Sequence, residues 1–180
     1  MSILILLNKP FQVLSQFTTD GQKQTLKEYV PFRNVYPAGR LDYDSEGLLL
    51  LTDDGKLQHN ISDPKYNKNK TYWVQVENIP EEKDLDKLRK GMRLKDGFTK
   101  PAKVKMIDEP ANLWPRNPPI RERKNIPDQW LEISITEGKN RQVRRMVAAI
   151  NHPALRLIRS EIDQWSIAGI APGEYKKINV

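Results

Sequence analysis

A chain of 180 residues without a single cysteine excludes disulfides, cysteine-ligated zinc and a thiol nucleophile. Its 30 Lys and Arg against 23 Asp and Glu leave a formal charge of +7, which favours polyanionic partners: RNA, DNA or an acidic membrane surface. The length suits one domain with room for two lobes, and the apolar start, ILILL, is too short for a signal peptide or a membrane span, so a soluble, cytoplasmic protein is expected.

In chain order, residues 3–7 read as a buried strand ended by NKP, and TLKEYV as a short helix. GLLLLT reads as a buried strand closed by the turn signal DDG. TYWVQVE alternates, with Tyr72, Val74 and Val76 on one face. PEEKDLDKLRKG opens on Pro and acids, spaces Leu85 and Leu88 three apart and closes on Gly, as a helix does. AKVKM and WLEISIT alternate again, with Leu131, Ile133 and Ile135 sharing a face. Strands that alternate on one side, with few helices between them, predict an α+β fold built on a mainly antiparallel sheet. The segment from Asp108 to Asp128 carries five of the 13 prolines and reads as a long loop, either a tolerated insertion or a contact surface. Trp114, Arg121, Arg123 and Lys124 favour contact.

GKNRQVRRMVAAI places Val143, Met146, Val147 and Ile150 at helical spacing. Arg145 then points almost opposite the apolar stripe, Arg141 well away from it, and Arg144 falls at its edge, where an arginine stem can be covered while the guanidinium reaches into a cleft. From Gly138 to Ser160 there are six basic residues, Lys139, Arg141, Arg144, Arg145, Arg156 and Arg159, and no acid. Charge gathered in one place reads as a footprint for phosphates.

PAGRLDYDSEGLLLLT sets Asp42, Asp44 and Glu46 just before a buried strand. A single Asp there is ordinarily a turn or cap residue. Three carboxylates also admit a metal site or a glycosidase-like acid pair. The two histidines, His59 and His152, are far apart in sequence and supply no second ligand cluster. From residue types alone the reading stops at an RNA or DNA binder that could use a carboxylate for catalysis.

Taken together, GRLDYDSEGLLLLT, KTY (residues 70–72) and EGKNRQVRRM (residues 137–146) resemble the three signature motifs of the pseudouridine synthases of the ribosomal small-subunit type, in that family's order and spacing. The resemblance runs over essentially the whole chain. It implies the pseudouridine synthase fold, a mainly antiparallel mixed central sheet flanked by helices and loops with a cleft across it. Many relatives carry a small RNA-binding domain ahead of the catalytic one. This chain starts almost at once with ILILLNKP, so a single catalytic domain over 1–180 is expected without that N-terminal domain. This start, with LWPRNPPIRERK, makes it most similar to members that act on large-subunit (23S) ribosomal RNA.

The activity implied is isomerisation of a uridine in ribosomal RNA. The family's catalytic carboxylate carries over to Asp42, the tyrosine that stacks on the base to Tyr72, and the basic residue that pairs with the carboxylate to Arg144. Arg40, Arg121, Arg123, Lys139, Arg141 and Arg145 are the expected RNA contacts. No metal, no nucleotide and no other cofactor is expected, and the protein is expected to be a monomer. The alternative is a non-catalytic rRNA-binding or ribosome assembly factor on the same fold. A uracil-releasing N-glycosidase is a third reading, which requires water in the site.

Overall fold

The computed structural model describes all residues from Met1 to Val180, and the chain divides into two compact units, Met1–Lys68 with Arg159–Val180, and Asn69–Ile158.

In the first unit, strand β1 (Ile3–Lys9) lies antiparallel to both β3 (Glu46–Thr52) and the C-terminal strand β11 (Tyr175–Asn179). The two-residue strand β2 (Tyr36–Pro37) pairs with the far end of β3. Ile5 faces Leu51 and Leu7 faces Leu49 across the ladder. These four side chains pack with Val13, Leu26, Val30, Val35 and Leu41 into one core. Leu4, Leu6, Leu48 and Leu50, on the opposite face of the same strands, are also buried. That explains why both strands read as continuous apolar runs: water reaches neither side. Deleting one of these leucine side chains costs about 2–5 kcal/mol.

Three expectations change here. β1 continues past Leu7 to Lys9, and both Asn8 and Lys9 are buried. TLKEYV forms only a 3-10 turn, Leu26–Glu28, held by Thr25 and Glu28, which bond each other's backbone and side chains at its start. DDG is not simply a turn: Asp54 caps helix α1 (Gly55–Ser62), its carboxylate accepting from the backbone N–H groups of Lys56 and Leu57 at 2.9 and 3.2 Å. Those bonds hold the Asp54 carboxyl below the usual range.

In the second unit, β4 (Lys70–Glu77), β8 (Asp128–Ile135) and β7 (Lys103–Ile107) form an antiparallel ladder in the order β4-β8-β7. Tyr72 faces Ile133 and Val74 faces Leu131, so the alternation read from sequence is the alternation of burial. Helix α2 (Glu82–Lys90) buries Leu85 and Leu88, and helix α3 (Gln142–Ala149) buries Val143, Met146 and Val147 in the same core. Between α2 and β7 the short strands β5 (Arg93–Leu94) and β6 (Gly97–Phe98) make a hairpin. Strand β9 (Ala154–Ile162), which sequence periodicity did not single out, carries the chain from the second unit back into the first. The two-residue strand β10 (Trp165–Ser166) folds back on its end.

The proline-rich segment is a loop, as expected, and arginines pin it to its own unit. Arg156 donates to the Trp114 carbonyl at 3.0 Å with its guanidinium 5.8 Å from the Trp114 ring centre, and Arg116 donates to the Leu155 carbonyl. Arg123 meets the Glu77 carboxylate at 2.7 Å.

Candidate active site

The acidic turn is built by local backbone bonds and by two side chains that reach it from elsewhere in the first unit. The Ser45 N–H donates to the Asp42 carbonyl at 3.0 Å and the Gln12 N–H to the Tyr43 carbonyl at 2.8 Å. Ser15, itself buried, donates its hydroxyl to the Leu41 carbonyl at 2.6 Å and accepts from the Leu41 N–H at 3.1 Å. Arg159 donates from Nε to the Leu48 carbonyl at 2.9 Å and from Nη1 to the Arg40 carbonyl at 3.4 Å. Gly47 admits this approach. It has φ +109, and a Cβ there would lie 2.2 Å from the Arg159 carbonyl oxygen. The backbone on both sides of Asp42 is therefore held, and Asp42 itself stays half-exposed on the loop that leads into β3.

The three acids are not equivalent. Glu46 is buried, whereas Asp42 and Asp44 are partly open. Within their electrostatic reach is Lys9, fully buried, its Nζ donating to the carbonyls of Pro10 and Val13 at 2.8 Å each. Burial pulls the Lys9 ammonium down to about 7, against the upward pull of Glu46, Asp44 and Asp42. The strand-ending NKP thus supplies a basic group near the acidic turn. No group of three or more His, Asp or Glu residues gathers as a metal-ligand set.

In the second unit Tyr72 lies on β4 with only 8% of its surface exposed, packed into the core beside Val74. Thr71 bonds Ser134 across the ladder at 2.9 Å, and the Lys70 Nζ donates to the Glu137 carbonyl at 3.3 Å. The loop before α3 is organised by Glu137, whose carboxylate accepts from the Lys100 N–H at 2.6 Å and from the Gln142 side chain at 2.8 Å. Gln142 in turn accepts from the Lys139 N–H. Helix α3 starts at Gln142, so Arg141, whose direction was predicted from helical spacing, lies just outside it. Arg141 stands before it at φ +50, exposed.

The basic residues divide by environment. Arg144 is half-buried at the edge of the apolar face of α3, as its spacing predicted, and Lys139 donates to the Phe98 carbonyl at 3.0 Å. Arg145 does not stand free: both terminal nitrogens bond the Asp96 carboxylate at 2.8 and 3.1 Å, which holds Asp96 low and raises Arg145. Arg123 is likewise engaged, by Glu77, while Arg121 and Arg40 are exposed. The reading of all six basic residues from Lys139 to Arg159 as one phosphate footprint is corrected. Arg156 and Arg159 are each only 5% exposed and serve backbone carbonyls, because they lie on a buried strand.

Sequence reasoning missed Ser15, Lys9 and the Glu137–Gln142 lattice. Lys9 was hidden because NKP reads as the end of a strand, whereas β1 runs on through Lys9. Ser15 had none, since its partner lies 26 residues away. Asp42 and Arg40 belong to the first unit, and Tyr72, Arg121, Arg123, Lys139, Arg141, Arg144 and Arg145 to the second.

Comparison with known proteins adds a family to this geometry. Residues 3–149 match the family model described as RNA pseudouridylate synthase. A protein of Vibrio parahaemolyticus named ribosomal large subunit pseudouridine synthase E is 54% identical over 177 residues, 98% of this chain and 74% of that protein. One of the same name from Xanthomonas axonopodis pv. citri is 56% identical over 172 residues, 94% of this chain and 90% of that protein. Among solved structures, a pseudouridylate synthase superposes with a TM-score of 0.79 at 28% identity, covering 99% of this chain and 71% of that one. The likeness confirms the α+β fold expected from sequence.

Proposed function

The chain belongs to the RNA pseudouridylate synthase family, and on that premise we propose that it isomerises one uridine of large-subunit (23S) ribosomal RNA to pseudouridine, with Asp42 as the catalytic carboxylate. It acts as a monomer in the cytoplasm, without nucleotide or metal. The observation that carries the assignment of Asp42 is its half-exposed position on a loop whose backbone is clamped by Ser15 and Arg159. A carboxylate so held serves as nucleophile or base without a cofactor.

In the isomerisation the bond from ribose to the base nitrogen breaks, the detached uracil rotates, and a ring carbon bonds to the same ribose carbon. The ring carbon gives up its proton and the freed nitrogen takes one up, so nothing is oxidised. Reaching a uridine inside structured RNA requires flipping it out, after which the base needs an aromatic surface. Tyr72, at the margin of the core with 8% of its surface open, supplies that ring. In the reacting complex Arg144 is the basic partner that the family resemblance assigns to this carboxylate, orienting it by charge-assisted hydrogen bonds. Arg40, Arg121, Lys139 and Arg141 hold phosphates. Arg145 and Arg123 join them only where a phosphate displaces Asp96 or Glu77.

The test is single-turnover pseudouridine formation on ribosomal RNA from a strain lacking the protein, read with a pseudouridine-specific chemical label, for wild type and Asp42→Asn. Conversion by wild type and none by the variant, with RNA affinity kept, supports the proposal. RNA binding without conversion by wild type returns the chain to the assembly-factor reading. Release of free uracil returns it to the glycosidase reading.

A further inference from the structure

The first unit holds an open recess of about 280 Å³, lined by Ser15, Gln16, Phe17, Tyr36, Pro37 and Arg40, with Gly39 at its wall. Resting on the reading of the chain as an RNA isomerase, we propose that this recess takes an unpaired nucleobase next to the target uridine, stacked on Tyr36, with its phosphate on Arg40.

Tyr36 is 56% exposed, although its strand pairs with one of the most buried strands in the protein. A large aromatic left in water beside a basic residue is the arrangement that single-stranded nucleic acid uses, since every base has a face to stack. The recess offers both an apolar wall and a polar rim. Phe17 and Pro37 are half-buried and supply the wall. Arg40 and Gln16 supply the rim, with Arg40 Nη2 donating to Gln16 Oε1 at 3.2 Å and the Gln16 amide donating to the Thr18 carbonyl at 2.7 Å. Ser15 takes no part in recognition, because its hydroxyl is spent on Leu41.

Position selects the occupant. Gly39 and Arg40 lie on the same short run of backbone as Asp42, and three residues of chain span at most roughly 11 Å. A base in the recess therefore belongs to a nucleotide close to the one over the carboxylate. The Ser15 bonds to Leu41 make that spacing rigid. Gly39 sits at φ +85 and a Cβ there would meet nothing within 4 Å, so the glycine serves the turn while the space beside it stays open. The charge sign fits as well: Arg40 is exposed, and its Nη2 meets a neutral amide that a phosphate can replace.

The experiment compares wild type, Tyr36→Ala and Tyr36→Phe on ribosomal RNA lacking the modification and on a short unstructured RNA oligonucleotide. Single-turnover conversion, half-saturation and oligonucleotide affinity are measured, and a thermal melt shows that each variant is folded. Tyr36→Ala should raise half-saturation and weaken oligonucleotide binding about tenfold, with the rate at saturation near wild type. Tyr36→Phe, which keeps the ring, should restore both. A minimal RNA with an abasic nucleotide at each position flanking the converted uridine should show one position whose loss matches Tyr36→Ala, with no further loss when the two are combined. Unchanged half-saturation and affinity in folded Tyr36→Ala, or a defect that Tyr36→Phe shares, overturns the subsite. If Tyr36→Ala does not fold, the abasic scan on wild type decides alone: no sensitive flanking position overturns it. If wild type converts no uridine, the isomerase reading fails separately, while weakened oligonucleotide binding by Tyr36→Ala still upholds a base-binding recess.

Discussion

Ser15 holds Leu41 by both of its backbone polar groups, donating to the carbonyl at 2.6 Å and accepting from the N–H at 3.1 Å, and so sets the residue next to Asp42. Removing that hydroxyl leaves a buried donor and a buried acceptor unpaired. Ser15→Ala should cost about 1–3 kcal/mol of stability. It should also slow single-turnover conversion more than it weakens RNA affinity, because the loop that aims the carboxylate is loosened while the phosphate contacts remain. Chemical denaturation and rapid-quench conversion on the same samples check both; a rate equal to wild type would remove Ser15 from the positioning of the site.

Asp42→Asn keeps volume and polarity but removes charge, basicity and most nucleophilicity. Conversion should fall by about three orders of magnitude or more. RNA affinity should hold or rise slightly, since a negative charge near phosphates is gone. Asp44→Asn, two residues on, should keep most of the activity. Equal losses in the two variants would show that the turn's total charge matters and no single carboxylate.

The salt bridge between Arg145 and Asp96 changes what charge removal at α3 should do. Arg141→Ala should weaken RNA binding and flatten its salt dependence, because an exposed arginine releases counterions on meeting a phosphate. Arg145→Ala should do less. Asp96→Asn should strengthen binding and steepen the salt slope, as Arg145 is released. Binding titrations from low to moderate salt measure all three, and an Asp96→Asn slope equal to wild type would mean that Arg145 faces no RNA.

Lys9 makes stability depend on pH in a defined direction. Its ammonium is held at about 7 in the folded protein against 10.5 ordinarily, so between those values the unfolded chain binds more protons than the folded one. Stability from this group therefore rises as pH climbs from about 7 towards 10.5 and is flat below. Lys9→Met should reduce that slope, read as the difference between the two proteins' denaturation midpoints across pH 7 to 10. Parallel profiles would mean that Lys9 stays charged throughout.

Conversion should persist in chelator with no nucleotide added. Loss of activity in chelator, restored by one metal with the RNA fold shown unchanged, would place an ion in the reaction.

Much of this molecule was legible before any coordinate. Alternation over residues 71–77 and 130–136 fixed which faces of β4 and β8 are buried, because a strand's side chains must alternate whatever it pairs with. The edge position of Arg144 followed in the same way from helical spacing. The motifs that place the chain in its family are contiguous and so readable by eye. What stayed hidden depends on partners distant in sequence. Arg156 and Arg159 looked like surface charge, yet they sit on a strand covered on both sides and serve the carbonyls of Trp114 and Leu48, the latter 111 residues away. Arg145 looked free because Asp96 is 49 residues off. Ser15 and Lys9 gave no periodic signal, since a single polar side chain is recruited by whichever unsatisfied backbone group the fold brings to it. Periodicity reports which face of an element meets water. Strand pairing and loop closure choose the hydrogen-bond partner, and those choices decide which charges remain open to RNA.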